Sequence, residues 1–308
     1  MEEVANEVFV EFGYESCNCG LVMTGEGGIV VDTPMIPIEA QDWASQVSEI
    51  TDKVLFVFNT DHHRAHILGN YLFDAAVIAH EHAWHEVSNY KDTFVERTKS
   101  LFKKQPEIQD QFTGVHVVSP ELTFTGKVVM KKGGRELHFV HLGGHTPATS
   151  GLYVPDSNIL FTGDLIVVND HPSLGQCNSD EWIEKLAWLR TQNYDAVVPG
   201  QGLSCNIEAT FPVVDYIKTM REKVRSQFLQ GRTKAESAVV ISQMIDYFPY
   251  RPGRKSMIEK RIRAGVSQIY DEMKVVYGWT SARGRRMRGR SVYIGGRRRP
   301  GRRSTFNS

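Results

Sequence analysis

The sequence predicts an α/β protein with two packed sheets and a helical C-terminal extension. Three observations carry this. Short β-rich runs fall in two groups, residues 8–79 and 121–198, separated by a charged helical stretch. Val54-Leu55-Phe56-Val57-Phe58 is a continuous apolar run, as expected of a strand covered on both faces. From residue 206 onward the pattern is all-helical.

The elements follow in chain order. Val8–Glu11, Gly20–Met23 and Gly28–Val31 read as strands, with Gly25-Glu26-Gly27-Gly28 as a hairpin turn and Asp32-Thr33-Pro34 as a stop. Ile38–Ile50 has helical spacing, with Ala40, Trp43, Ala44 and Val47 on one stripe. Ala75–Ala79 is a short buried strand, followed by a helical segment from about Trp84 to Gln111 that Pro106 interrupts. Strands are expected at Phe124, Val128–Met130, Leu137–His141, Gly151–Val154 and Ile159–Phe161. Asn178 can cap a helix whose stripe is Trp182, Leu186 and Leu189, and Ala196–Val198 is the last buried strand. Thr210 then opens a helix bearing Phe211, Val214, Ile217, Val224 and Phe228, with Pro212 tolerated in its first turn. Thr233–Glu236 and Ser256–Glu259 are capping-box patterns. After the second, Ile258, Ile262, Ile269, Met273 and Val276 line one face, and Trp279 is the expected last ordered residue of the body.

Composition narrows the classes further. The 41% hydrophobic content and five Trp exclude a mostly disordered chain. The formal charge is zero, 36 Lys+Arg against 36 Asp+Glu, but residues 281–308 hold ten Arg and no acid. The first 280 residues therefore carry 26 basic against 36 acidic groups, a net of −10. An Arg-rich tail of this kind, with Gly-Arg repeats, is expected to be flexible and is the one segment suited to nucleic acid. No apolar run reaches the roughly 18 residues a membrane helix needs. The acidic start MEEVANEVFVEF is unlike a signal peptide, so a cytoplasmic location is expected. Cys17, Cys19, Cys177 and Cys205 form no disulfide scaffold and are read as reduced thiols, with Cys17 and Cys19 packing in the first hairpin.

The chemistry concentrates where the Val54–Phe58 strand ends. Asn59-Thr60-Asp61-His62-His63-Arg64-Ala65-His66 places ligand-capable side chains where open α/β sheets place their sites. Asp61 and His63 are two apart and share a face if extended backbone persists. His66, three further on, returns to that face after one helical turn. Arg64 is expected to pair with surface acids. His80, His82 and His85 are expected to cap a helix, and His171 to lie at the surface.

This segment, with Gly69-Asn70 after it, resembles the metal-binding loop of the metallo-β-lactamase superfamily, Thr-His-x-His-x-Asp-His-x-x-Gly-Asn. Gly144-His145-Thr146-Pro147, Phe161-Thr162-Gly163-Asp164 and Val197-Val198-Pro199-Gly200-Gln201-Gly202 resemble its later motifs, in the right order. The resemblance covers about residues 8–205. It implies a four-layer αββα sandwich for residues 1–205, with 206–280 as a helical extension and 281–308 as the tail. Asp61 stands where the family has its first His, Ala65 where it has an Asp, and Gln201 where it has its last His.

Carried over residue by residue, the resemblance implies a first metal site of Asp61, His63 and His145 with Asp164 beside it. The second site keeps His66 and Asp164, with Gln201 as a neutral oxygen donor. One tightly held divalent metal is therefore expected, zinc by default with iron or manganese as alternatives, and a second site that is weak or absent. Asp61, His66 or Asp164 would take the acid–base role that Ala65 has vacated. The expected activity is metal-dependent hydrolysis, with metal-activated water, of a small organic ester-, lactone- or ether-like substrate. The alternatives are a mononuclear iron oxygenase and a non-catalytic subunit of a hetero-oligomer. A homo- or hetero-oligomer is expected, and no membrane partner. The aromatic helical region, including Tyr216, Tyr247, Phe248 and Tyr270, is read mainly as core.

Overall fold

Strand pairing in this chain, seen in a computed structural model, describes two sheets over residues 1–278 apart from Asp92 and Pro252. Trp279 and the Arg-rich segment 281–308 lie outside the described residues. The first sheet runs in sequence order through β1 (Glu2–Ala5), β2 (Val8–Glu11), β3 (Cys19–Thr24), β4 (Gly27–Val31), β5 (Val54–Phe58), β6 (Ala76–His80) and β7 (Leu122–Phe124). The strands β1 to β4 pair antiparallel, as tight turns permit. From β4 to β7 pairing is parallel, which demands crossovers. These are α1 (Pro37–Ile50), α2 (Arg64–Ile67), and a long connection holding α3 (Glu81–Ser88), α4 (Thr93–Lys99) and α5 (Pro106–Gln109). Pro106 opens α5 at a position where its missing N–H costs nothing.

The second sheet comprises β8 (Lys127–Lys132), β9 (Arg135–His141), β10 (Ser150–Val154), β11 (Ile159–Val167) and β12 (Ala196–Gln201). It is antiparallel except for β11 with β12, which are joined through α6 (Ser179–Leu189). Asn178 caps α6 by accepting from the Glu181 N–H, as its sequence position suggests. The helical C-terminal region is α7 (Thr210–Leu229), α8 (Val239–Met244) and α9 (Lys255–Tyr277).

Packing makes four layers. Between the sheets lie Val8, Val22, Ile29 and Phe58 from one side and Leu137, Phe139, Leu152 and Phe161 from the other. Phe58 and Phe139 meet edge to face at 5.0 Å. Trp43 and Val47 of α1 cover the outer face of the first sheet against Leu21, Val30 and Val57. Trp182, Leu186 and Leu189 of α6 cover the second sheet, and α7, α8 and α9 add Ile217, Met220, Met244, Ile262 and Ile269 to the same cluster. No described helix is long and apolar enough to cross a membrane.

Several local expectations need correction. β1 has no counterpart in the sequence reading, because its partly exposed Glu-Glu-Val-Ala lacks an apolar alternation. The Thr233–Glu236 box forms, each residue bonding the other's backbone N–H, but it opens a 3-10 turn at Glu236–Ala238 rather than a long helix. The second box does not form, since α9 already begins at Lys255 and Ser256 sits inside its first turn. Ile258, Ile262, Ile269 and Met273 are buried as expected, whereas Val276 and Phe211 are exposed. The Phe211 ring instead carries the Arg190 guanidinium on its face.

Candidate metal centre

The site forms at the carboxyl ends of β4, β5 and β11. Asp32 follows β4 with φ +58°, a left-handed conformation uncommon for a residue with a side chain. Its carboxylate compensates by accepting from Thr60 N at 2.8 Å, Thr60 Oγ1 at 2.6 Å and His66 Nδ1 at 2.9 Å. Asn59 Nδ2 donates to the His66 carbonyl at 2.8 Å. The loop after β5 is thus tied to the end of β4 on both sides of Asp61.

Two glycines make room for Asp164 on β11. A Cβ on Gly200 would stand 2.2 Å from Asp164 Oδ1, and one on Gly163, at φ +51°, would strike Thr60. His145 lies in the connection after β9. Its Nδ1 donates to the Ser173 carbonyl at 2.9 Å, which leaves Nε2 bare. Thr146 Oγ1 donates to Asp61 Oδ2 at 3.1 Å, so the third motif also orients the first.

Among the described residues, Asp61, His63 and His145 offer ligand atoms that all lie within 4.8 Å of one another. Asp61 Oδ1 is 2.8 Å from His63 Nδ1, and Asp61 Oδ2 is 3.4 Å from His145 Nε2. Asp164 Oδ2 lies 4.0 Å from His145 Nε2 and 3.5 Å from His66 Nε2. His66 therefore stands beside Asp164 rather than in the three-residue group. Gln201 donates its side-chain amide to the Ser16 carbonyl at 2.6 Å and the Glu15 carbonyl at 3.4 Å.

The residues present fit a cation. Buried His66 Nε2, His145 Nε2 and Asp164 Oδ1 have no hydrogen-bond partner among the described residues. Buried polar atoms are rarely left so, and here the two imidazole nitrogens lie 3.5 and 4.0 Å from the same oxygen, Asp164 Oδ2. In His145 the other ring nitrogen is held by a carbonyl, the pattern that presents a bare nitrogen to a metal. Burial alone would raise the Asp61 and Asp164 carboxyls. His63 and His62 nevertheless hold Asp61 well below the usual range, and His66 brings Asp164 to about 2. Burial pushes His145 down to about 4, so it is neutral at pH 7 and ligand-ready. Burial also opposes charge on His63 and His66, but Asp61 raises the first and Asp32 with Asp164 raises the second.

Arg64 and His171 depart from expectation, while His80, Cys17 and Cys19 follow it. Among the described residues Arg64 meets no acid; it donates to Thr98 Oγ1 and lies over the Phe94 ring. His171 is fully buried, between Tyr216 Oη and the Phe248 carbonyl, because the C-terminal helices cover its loop. His80 caps α3 by accepting from the His82 N–H. Cys17 and Cys19 pack under the first sheet with their sulfurs 3.8 Å apart. Asp32, Thr146 and Ser173 serve the site although the sequence does not single them out; Asp32 reads there only as a strand stop.

Comparisons with known proteins agree with this fold. A profile of the Metallo-beta-lactamase superfamily matches residues 13–201, more than half the chain. No curated protein matches by sequence. Among solved structures, a metallo-beta-lactamase from Pontibacter korlensis is 18% identical with a TM-score of 0.55, covering 70% of this chain and 97% of its own. A metallo-beta-lactamase family protein from Thermus thermophilus is 16% identical with a TM-score of 0.64, covering 88% of this chain and 94% of its own. The stereoselective inverting sec-alkylsulfatase Pisa1 from Pseudomonas sp. is 15% identical with a TM-score of 0.64, over 88% of this chain but only 49% of its own. These likenesses concern the fold, and with the profile match they place the chain in a family: it belongs to the metallo-β-lactamase superfamily.

Proposed function

We propose that this protein is a metallohydrolase that holds one divalent metal, zinc by preference, on Asp61, His63 and His145 and acts on a small ester-, lactone- or ether-like substrate. The observation that carries the reading is the bare, buried Nε2 of His145 facing Asp61 Oδ2 while its Nδ1–H is fixed on Ser173. A divalent cation there supplies acidity to a water and polarises a substrate oxygen. Residue roles follow from their partners. Asp61, locked by Thr146 and the His63 N–H, is a fixed anionic ligand. Asp164, ionised and with Oδ1 unpartnered, receives a proton from the attacking water. His66, whose Nε2 favours a proton between Asp32 and Asp164, returns one to the leaving oxygen.

A second cation site on His66 and Asp164 is weak in this reading, because Ala65 offers no ligand and Gln201 is engaged by backbone carbonyls. Residues 1–205 form the catalytic unit, 206–280 its helical extension and 281–308 the tail; cytoplasmic location and oligomerisation rest on sequence alone.

One alternative has a specific observation behind it. Two His and one carboxylate are the donor set of mononuclear iron oxygenases. Elemental analysis with an ester and lactone substrate panel separates the two. Zinc with oxygen-independent turnover supports the hydrolase, and iron with oxygen consumption replaces it. Metal retained in full by both Asp61→Ala and His145→Ala would remove the site assignment.

A further inference from the structure

The loop that follows β11 connects the metal centre to the C-terminal helices. Ser173 in this loop accepts the Nδ1–H of His145 at 2.9 Å, and Gln176 Oε1 lies 3.2 Å from His62 Nε2. The loop rests on one face of α9. Arg261 Nη1 donates to Asp170 Oδ2 at 3.1 Å and to the His171 carbonyl at 2.7 Å. Gln268 Nε2 donates to the Cys177 carbonyl at 2.7 Å. Glu272 accepts from Ser179 N at 2.9 Å, just past the loop. Positions 261, 268 and 272 recur at seven and four residues, so one helical face makes all three attachments.

The fit between loop and helix is close. A Cβ on Gly175 would come within 3.1 Å of Ala264 Cβ, and one on Gly265 within 3.0 Å of Leu174 Cβ. Leu174 is fully buried there. The Ser173 carbonyl is thus placed by what grips the loop on each side of it. Arg261 holds the chain at 170–171, and Gln268 holds it at 177.

We infer that α9 is a positioning element of the metal centre, with Arg261 as its positioning residue: it fixes the loop so that Ser173 holds His145 in the tautomer with a bare Nε2. The inference rests on the reading of His145 as a metal ligand. The helical extension is then part of the site's outer support, acting through two backbone carbonyls, and not only a cover for the second sheet. Partners that orient a ligating histidine typically govern metal affinity by roughly 10- to 100-fold, and Arg261, one step further out, should govern it by about tenfold.

The test uses the full chain with Arg261→Ala, Arg261→Lys and Gln268→Ala, and Lys234→Ala as control. Lys234 pairs with Asp271 of α9, on a bond that does not involve the loop. Two quantities are read beside thermal stability: zinc affinity, by competition with a chromophoric chelator, and the His145 tautomer in the metal-free protein, by long-range 1H–15N imidazole spectra. Arg261→Ala should weaken zinc about tenfold and lower the Nδ1–H population of His145. Arg261→Lys should restore part of both, and Lys234→Ala should change stability alone. If Arg261→Ala does not fold, Gln268→Ala carries the test with a smaller effect of the same sign. Unchanged tautomer and zinc affinity in folded loop variants would overturn the inference. A wild-type protein that binds no zinc would instead overturn the metal reading, while the tautomer measurement would still decide the positioning role.

Discussion

Asp32 Oδ2 lies 2.9 Å from His66 Nδ1, and the same carboxylate holds the Thr60 N–H and hydroxyl that precede Asp61. One residue thus sets both the ring orientation of His66 and the path of the loop that carries Asp61. An amide at this position would present an N–H to His66 Nδ1 or leave one bond unmade. Asp32→Asn should lower the proton affinity of His66 and loosen the loop that carries Asp61, weakening zinc by about tenfold in chelator competition. Affinity within about twofold of wild type would show that Asp32 does not position Asp61.

Gly200 is needed for space. Its Cβ would lie 2.2 Å from Asp164 Oδ1, and its backbone is not in the left-handed region. Gly200→Ala should therefore displace Asp164, pressing on its side chain and on the Gly163–Asp164 backbone 2.7 Å away, and lower turnover by about tenfold or more. Gly126, with nothing near its absent Cβ among the described residues, is the matched control. Equal activity in the two alanine variants would contradict the role given to Asp164.

Trp182 joins fold and site. It is fully buried, donates Nε1–H to the Leu165 carbonyl and meets the His145 ring edge-on at 5.3 Å. Trp182→Ala should cost about 3–5 kcal/mol of unfolding free energy, read from denaturant titration. Trp182→Phe should recover much of the packing but leave the Leu165 carbonyl unpaired. A cost under about 1 kcal/mol for the alanine variant would mean that the α6 layer repacks freely.

His80 provides a pH signature away from the proposed ligands. Burial and the stacked His141 ring push it down to about 4, below the value near 6.5 that it has when unfolded. The unfolded chain therefore takes up this proton first. The stability tied to neutral His80 is complete above about pH 6.5 and is lost as pH falls toward 4. Thermal midpoints of wild type and His80→Gln should converge over that window. A constant difference between them from about pH 7 to about pH 4 would argue against a depressed His80.

Much of this is legible in the sequence, for definite reasons. Val54–Phe58 announces a strand covered on both faces because burial on two sides removes alternation. Asp61, His63 and His145 can be paired across a long stretch of chain because each follows a strand end within a motif of fixed order. Asp32 escapes notice because a strand-ending Asp-Thr-Pro is ordinary, and nothing local reveals its positive φ or its reach to His66. His171 is misplaced for a related reason. Its loop is polar, and what buries it is Tyr216 and Phe248, which lie 45 and 77 residues further along the chain. Arg64 shows only a charge in the sequence, while its partner in the fold is the aromatic ring of Phe94, on a different helix.

The central claim is that Asp61, His63 and His145 jointly hold a metal ion. Anomalous diffraction at the zinc edge from zinc-saturated crystals tests it most directly. The account predicts one strong peak per chain, at about 2.0–2.2 Å from Asp61 oxygen, the His63 ring and His145 Nε2. A saturated crystal with no peak there, or with its peak held by other residues, would contradict it.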